Sequence, residues 1–289
     1  MPKIKTILAP VDFSERTDAE IKQAAALARR FAAKLLLLHV IPNVGRLNPA
    51  DPAAAKAYDE DFDADVQTGI KKALVDLGTR AAPGVETEPL VIVGDATAEI
   101  EGVAKQRHID LMVLSPAHSS RLWRNLKGSI ALKTLEDLAC PILLTVDTES
   151  EDPNYATVGC MVDFRDGGER LLRWADDLAT SIGAKLKVFY VISIIPGGGA
   201  PAPSEDQIEV KKAEMLAEVE RMVAREAINA EAFVVAGDSL EVLPPALAQA
   251  GVDVLVTGRR ANEEVVGAFG LHRDLVDVAE RSPCPILSI

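Results

Sequence analysis

The residues of this 289-residue chain best suited to chemistry lie in SPAHSSRLWRNLKGS, Ser115–Ser129. His118, Arg121, Arg124 and Lys127 bring positive charge, no acidic residue follows before Glu136, and the stretch closes on Gly128-Ser129. Small and basic residues between an apolar strand and a helix can offer backbone N–H groups and a helix N-terminus to an anion. Each cation taken alone is a solvated loop residue. Trp123 reads as a loop anchor packed on the sheet rather than a base-stacking residue. Asp12 and Asp163 each end an apolar strand in an Asp-Phe pair. An aspartate there can bond a ligand or its own turn. No catalytic set is evident. His39, His108, His118 and His272 form no HExxH, and Cys140, Cys160 and Cys284 form no CxxC. Ser14, Ser115 and Ser129 have neither a sequence-evident base nor a G-x-S-x-G elbow. No metal site is expected.

The elements that must position these residues follow from periodicity. Leu111–Leu114 is an apolar run long enough for a buried strand and too short for a helix. Ser129 is a plausible N-cap for a helix whose apolar face is Ala131, Leu132, Leu135, Leu138 and Ala139. Pro141 stops that helix, and Pro141–Val146 reads as a strand. Upstream, Ile4–Val11 is a strand, and Thr17-Asp18-Ala19-Glu20 reads as a capping box. The helix behind it carries Ile21, Ala24, Ala25, Ala28 and Phe31. Lys34–Ile41 and Val85–Val93 are strands, with helices expected within Pro52–Arg80 and over Thr97–Arg107.

The plan then recurs. Ala156–Val162 is a strand, and the helix of Leu171, Leu172, Ala175, Leu178, Ala179 and Ile182 closes on Gly183. Strands at Lys185–Ile195, Glu231–Ala236, Val254–Thr257 and Pro285–Ile289 follow, with a helix over Ser204–Ile228. Asp163 stands 151 residues after Asp12, and Val191 stands 151 after Val40. Gly237 follows Gly94 by 143, Gly258 follows Ser115 by 143, and Cys284 follows Cys140 by 144. Two copies of a β-α-β-α-β-α-β-α-β unit result, with domains at 1–147 and 154–289 and a boundary in the acidic segment Asp147–Asn154. Alternating strands and helices imply a parallel sheet covered on both faces, its ligands lying beyond the strand C-termini where strand order reverses.

Composition narrows the function classes. A net charge of −13 and 4% aromatic residues argue against a nucleic-acid or anionic-membrane surface. Apolar runs are too short for a membrane span, and Asp12 and Glu15 come too early for a signal peptide. Three scattered cysteines suit a reducing cytoplasm. Cys140 and Cys284, in ACP and SPCP, read as small buried hydrophobes.

TILAPVDFSE, the strand end HVIP, the Gly94-Asp95 turn, and the Ser115–Ser129 loop before ACPILLTV together resemble the universal stress protein family. The resemblance covers nearly the whole chain, twice. It implies an α/β fold of two tandem doubly wound domains, each a five-stranded parallel sheet of order 3-2-1-4-5 with helices on both faces. It also sets Asp12 beside Ser115–Ser129. Nucleotide-binding members carry G-x2-G-x9-G-[S/T] after the fourth strand, because glycine lets backbone approach phosphates. Here the motif is Ser115-x2-His118-x9-Gly128-Ser129, with its spacing intact and its first two glycines replaced. Serine is tolerable if its φ is negative. Histidine adds bulk, although a protonated imidazole could meet an anion. The resemblance implies a first-domain site of Pro10, Asp12, Val40, Leu114, Ser115, His118, Gly128, Ser129 and Ile130, with Asp12 at the adenosine end and Val40 offering backbone to the base.

In the second domain Asp163, Val191, Thr257, Gly258 and Ala261 are the weak equivalents. The loop there is one residue longer, sets Glu263 and Glu264 against Arg259 and Arg260, and has His272-Arg273 where Gly128-Ser129 stand. Gly267 and Gly270 leave a realignment open. The resulting expectation is a cytoplasmic, non-enzymatic stress-response binding protein. ATP or AMP is its candidate ligand in the first domain, and the second domain's site is lost. The closing strands Ile142–Val146 and Ile286–Ile289 are expected to pair the domains as an intramolecular pseudo-dimer. A homodimer of whole chains, a weak ATPase or autophosphorylating switch using Ser129, and a nucleotide-free scaffold binding a protein or apolar ligand stay open.

Overall fold

The computed structural model describes residues 3–42, 60–115, 140–146, 155–164, 167–194, 203–258 and 278–289. The chain divides into two compact units, one holding Ile4–Pro141 and the other Ile142–Thr148 with Pro153–Ile289. The domain boundary expected at Asp147–Asn154 lies outside the described residues, as does the helix expected after Ser129.

The first repeat begins with β1 (Thr6–Pro10), α1 (Thr17–Phe31) and β2 (Lys34–Pro42). It continues with α2 (Glu60–Ala81), β3 (Thr87–Gly94), α3 (Ala96–Gln106), β4 (Leu111–Leu114) and β5 (Ile142–Leu144). The second repeat has β6 (Thr157–Met161), α4 (Gly168–Ile182), β7 (Lys185–Ser193) and α5 (Glu205–Arg225). It ends with β8 (Ala230–Gly237), α6 (Ser239–Gln249), β9 (Val254–Thr257) and β10 (Ile286–Ser288). Strand order is β3-β2-β1-β4-β5 in one repeat and β8-β7-β6-β9-β10 in the other, 3-2-1-4-5 in both. The pairs β1–β2, β1–β4, β2–β3, β6–β7, β6–β9, β7–β8 and β9–β10 are parallel.

Central strands covered on two faces lose the usual alternation of apolar and polar residues. Ile7–Ala9, Leu35–Leu38 and Leu111–Leu114 are accordingly buried without a break. Between strands, helices start and stop on local chemistry. Asp95 caps α3 by accepting from the Ala98 N–H at 3.0 Å, and Asp238 accepts from the Leu240 N–H at 2.9 Å ahead of α6. Ser204 and Gln207 form a reciprocal capping box on α5. Gly183, with φ 68°, closes α4 in the left-handed conformation expected of a C-terminal glycine.

The Thr17–Glu20 capping box does not form. α1 begins one residue early, with Arg16 in helical conformation at its N-cap (φ −92°, ψ −10°) and no side chain capping it. The Thr17 N–H is already bonded to the Ser14 carbonyl. Thr17 and Glu20 therefore turn inward together and are buried.

The last strand of the first repeat belongs to the second unit. β5 pairs antiparallel with β10 in the register Leu144↔Ile286, Leu143↔Leu287 and Ile142↔Ser288. These are the two apolar closing strands expected to pair.

Candidate functional site

In the first repeat chain order reverses between β1 and β4, which lie side by side in the register Ile7↔Leu111 and Leu8↔Met112. Pro10 is the last residue of β1, and the Val11 N–H still reaches the Leu38 carbonyl at 2.7 Å. Asp12 follows, half-buried, and its Oδ1 accepts the Ser14 N–H at 3.0 Å. Asp12 thus performs the turn role that its position allowed, which holds its carboxylate in place at the strand end. Leu114 ends β4 fully buried, and Ser115 comes next, half-buried. On the other side of β1, Val40 stands in β2 opposite Ile92. The structure therefore brings Pro10, Asp12, Leu114 and Ser115 to the ends of two adjacent strands, with Val40 on the third. His118, Gly128, Ser129 and Ile130 lie outside the described residues.

Serine at the first glycine position is compatible with this backbone. The described non-glycine residues with positive φ are Phe13, Ala32, His108 and Ala227, so Ser115 carries no left-handed strain. Space is also sufficient in the matching place of the second repeat. Among the described residues, a Cβ on Gly258 would meet Leu171 Cδ2 alone, at an ordinary 3.7 Å. Around it stand the counterparts: Asp163 after β6, Val191 in β7 opposite Val235, and buried Thr257 at the end of β9. Ala261 is outside the described residues. The start of α4 differs from that of α1. A Cβ on Gly168 would stand 2.2 Å from the Asp163 carbonyl oxygen, whereas Thr17 occupies the same place in the first repeat.

Three features of the two repeats escaped the sequence pattern. Glu20 is 6% exposed, and its Oε1 is wholly buried with no hydrogen-bond partner among the described residues. Thr17 Oγ1, one turn earlier, is in the same condition. Burial, and after it the charge of Asp12, push the Glu20 carboxyl well above the usual carboxylate range. The repeat offset was the available signal, because 151 residues on from Glu20 stands Leu171.

Second, Phe13 adopts φ 55° and is 43% exposed, lying 5.0 Å from the His39 ring. His39 Nδ1 in turn donates to the Val11 carbonyl at 2.7 Å. Phe164 and Tyr190 repeat the ring pair at 4.8 Å, both 151 residues on.

Third, Asp110 Oδ2 accepts the N–H groups of Lys5 and Thr6 at 2.7 and 2.9 Å. Asp253 Oδ2 does the same for Ala156 and Thr157 at 2.9 and 2.8 Å. These carboxylates tie the start of each repeat's first strand to the entry of its fourth.

The cysteines are free and buried. Burial pushes the Cys284 thiol up to about 12. Ser282 Oγ brackets Cys284, donating to its carbonyl at 2.6 Å and accepting its N–H at 3.3 Å. Thiols so placed are packing groups. Among the described residues no group of three or more His, Cys, Asp or Glu side chains could hold a metal ion, and no helix is long and apolar enough to cross a membrane.

Comparison with known proteins agrees with this duplicated architecture. Over 127 residues the chain is 30% identical to a universal stress protein A homolog of Haemophilus influenzae, covering 43% of this chain and 84% of that protein. A universal stress protein from Archaeoglobus fulgidus superposes with a TM-score of 0.65 at 16% identity, over 98% of this chain and 95% of its own. A functionally unknown protein from Pseudomonas aeruginosa PAO1 gives 0.60 at 16% identity, over 99% and 92%. At such identities the two structures speak for the fold alone. The model of the universal stress protein family matches residues 3–145 and again 154–289, so the chain belongs to that family and carries its domain twice.

Proposed function

We propose that this protein is a non-enzymatic, cytoplasmic stress-response binding protein whose first domain takes one adenine nucleotide, ATP or AMP, and whose second domain takes none. The domains are 1–147 and 154–289, acting as an internal pair. Supporting this arrangement is the antiparallel β5–β10 ladder, in which a strand of the first repeat completes the sheet of the second unit.

The observation that carries the nucleotide reading is the junction of β1 and β4. There Asp12 is fixed by the Ser14 N–H, next to a Ser115 whose backbone is not left-handed. In this reading Asp12 accepts from the ribose, and Val40 offers backbone to the base. Pro10 and Leu114 wall the pocket, while Ser115, His118, Gly128, Ser129 and Ile130 supply the phosphate-side contacts. Arg121, Arg124 and Lys127 screen phosphate charge in an otherwise acidic chain. The second domain keeps Asp163, Val191, Thr257, Gly258 and Ala261. Its longer loop with Glu263 and Glu264 repels a polyphosphate.

Native mass spectrometry of the purified chain, before and after incubation with ATP or AMP, tests the reading. One nucleotide per chain is expected. Two per chain, or none at millimolar nucleotide, would overturn it.

A further inference from the structure

We propose that Glu20 is a specificity-determining residue of the first domain's site: a neutral carboxylic acid at the site floor that donates a hydrogen bond to the anionic ligand and must hold its proton for that ligand to enter. The inference rests on the nucleotide reading above.

Two lines, one electrostatic and one from the equivalent position in the other repeat, set Glu20 near Asp12 and Ser115. Its carboxyl feels the charge of Asp12 directly. Its counterpart in the repeat, Leu171, reaches Gly258, which is the counterpart of Ser115. A carboxyl thus stands in the first repeat where the second has a leucine. Its buried Oε1 has no partner among the described residues, and neither has Thr17 Oγ1 beside it on the helix. A buried oxygen without a donor forfeits its hydration, so such a group in a native fold calls for an explanation. A ligand that completes its hydrogen bonding provides one.

The surroundings decide its charge. α1 packs on β1, β2, β4 and α2. Beyond β1 the facing group is Asp12, which is acidic. β2 presents His39, which donates to the Val11 carbonyl. β4 is apolar throughout. α2 presents Arg80, which is held in a two-pronged bond to Asp18, both at 2.7 Å, on the exposed side of α1. On α1 itself, Lys22 acts on Asp18. Burial and the charge of Asp12 are what shift Glu20, and the N-terminal helix dipole, confined to the first turn, is too small to offset burial. The proton is what remains to neutralise it.

Ionised, Glu20 would set a second negative charge beside Asp12 and turn away a phosphate. Protonated, its O–H is a donor to a phosphate or ribose oxygen. Binding is then coupled to one proton in the first domain. Leu171 excludes any such coupling in the second.

Calorimetry with ATP on the whole chain, from pH 5.5 to 8.5 and in two buffers of different ionisation enthalpy, tests this on wild type, Glu20→Gln and Glu20→Leu. The ligand's own ionisation is common to all three. Above the Glu20 titration, wild-type affinity should fall about tenfold per pH unit relative to Glu20→Gln, with proton uptake that the glutamine variant lacks. Glu20→Leu, having no donor, should bind at least about fivefold more weakly than Glu20→Gln throughout. Equal pH slopes and equal proton uptake in wild type and Glu20→Gln would overturn the role of Glu20 while leaving the nucleotide reading intact. Absence of binding in all three proteins at every pH would overturn both.

Discussion

Ionising Glu20 in the folded chain adds a buried charge beside Asp12, and this has a consequence for stability as well as for binding. The native carboxyl keeps its proton at pH values where the unfolded chain has already released it. Stability is therefore highest below the ordinary glutamate range and declines as pH rises towards the raised native value. Glu20→Leu removes that dependence and should stabilise the protein by about 1–3 kcal/mol at pH 8, with a smaller gain at pH 4. Thermal unfolding at the two pH values checks it. At the same scale, Asp110→Ala and Asp253→Ala should each cost about 1–2 kcal/mol, because each leaves two backbone N–H groups without their carboxylate. Urea unfolding measures these. Its strand-end position left Asp12 open as a ligand or a turn residue, and the turn role is visible in the Ser14 bond. Thr-x-x-Glu before an apolar stripe has the local meaning of a capping box, which makes Glu20 look like a capping residue. What moved it inward was a one-residue shift in the helix start, which the tight turn from Ser14 imposes.

At the scale of elements, apolar runs made the strands legible, since buried parallel strands carry no competing pattern. β4 and β9 match their expected bounds at both ends, and β1 and β2 match within one or two residues. Helix starts were less legible, because a cap depends on the angle at which the preceding loop arrives. α4 illustrates this, for Gly167 at φ 106° and the close approach of Gly168 to Asp163 set its entry without any capping side chain. Gly168→Ala should therefore destabilise the protein by about 1–3 kcal/mol through its clash with backbone. Among the described residues, nothing lies within 4 Å of a Cβ added at Gly69 in α2 or Gly102 in α3. Their replacement by alanine should stabilise by about 0.5–1 kcal/mol each. The opposite signs, read from denaturant midpoints, separate steric glycines from incidental ones.

At the scale of the molecule, the constant offsets announced the duplication. The structure repeats it in detail not evident from the sequence, in the two Asp-clipped first strands and the two ring pairs. Pairing of the two apolar closing strands was legible in their edge character, whereas the grouping of β5 with the second unit leaves no local mark. Residues 154–289 expressed without β5 would leave β10 a short apolar edge, and edges of that kind self-associate. Sedimentation should find that fragment associated or aggregated, while the whole chain stays soluble. The proposed difference between the repeats is that the first binds adenine nucleotide and the second does not. Titration calorimetry with ATP on wild type, Asp12→Ala and Asp163→Ala tests it most directly. The account predicts one site per chain, weakened at least about tenfold by Asp12→Ala through loss of a charged hydrogen bond and unchanged by Asp163→Ala. Binding abolished by Asp163→Ala and indifferent to Asp12→Ala would contradict it.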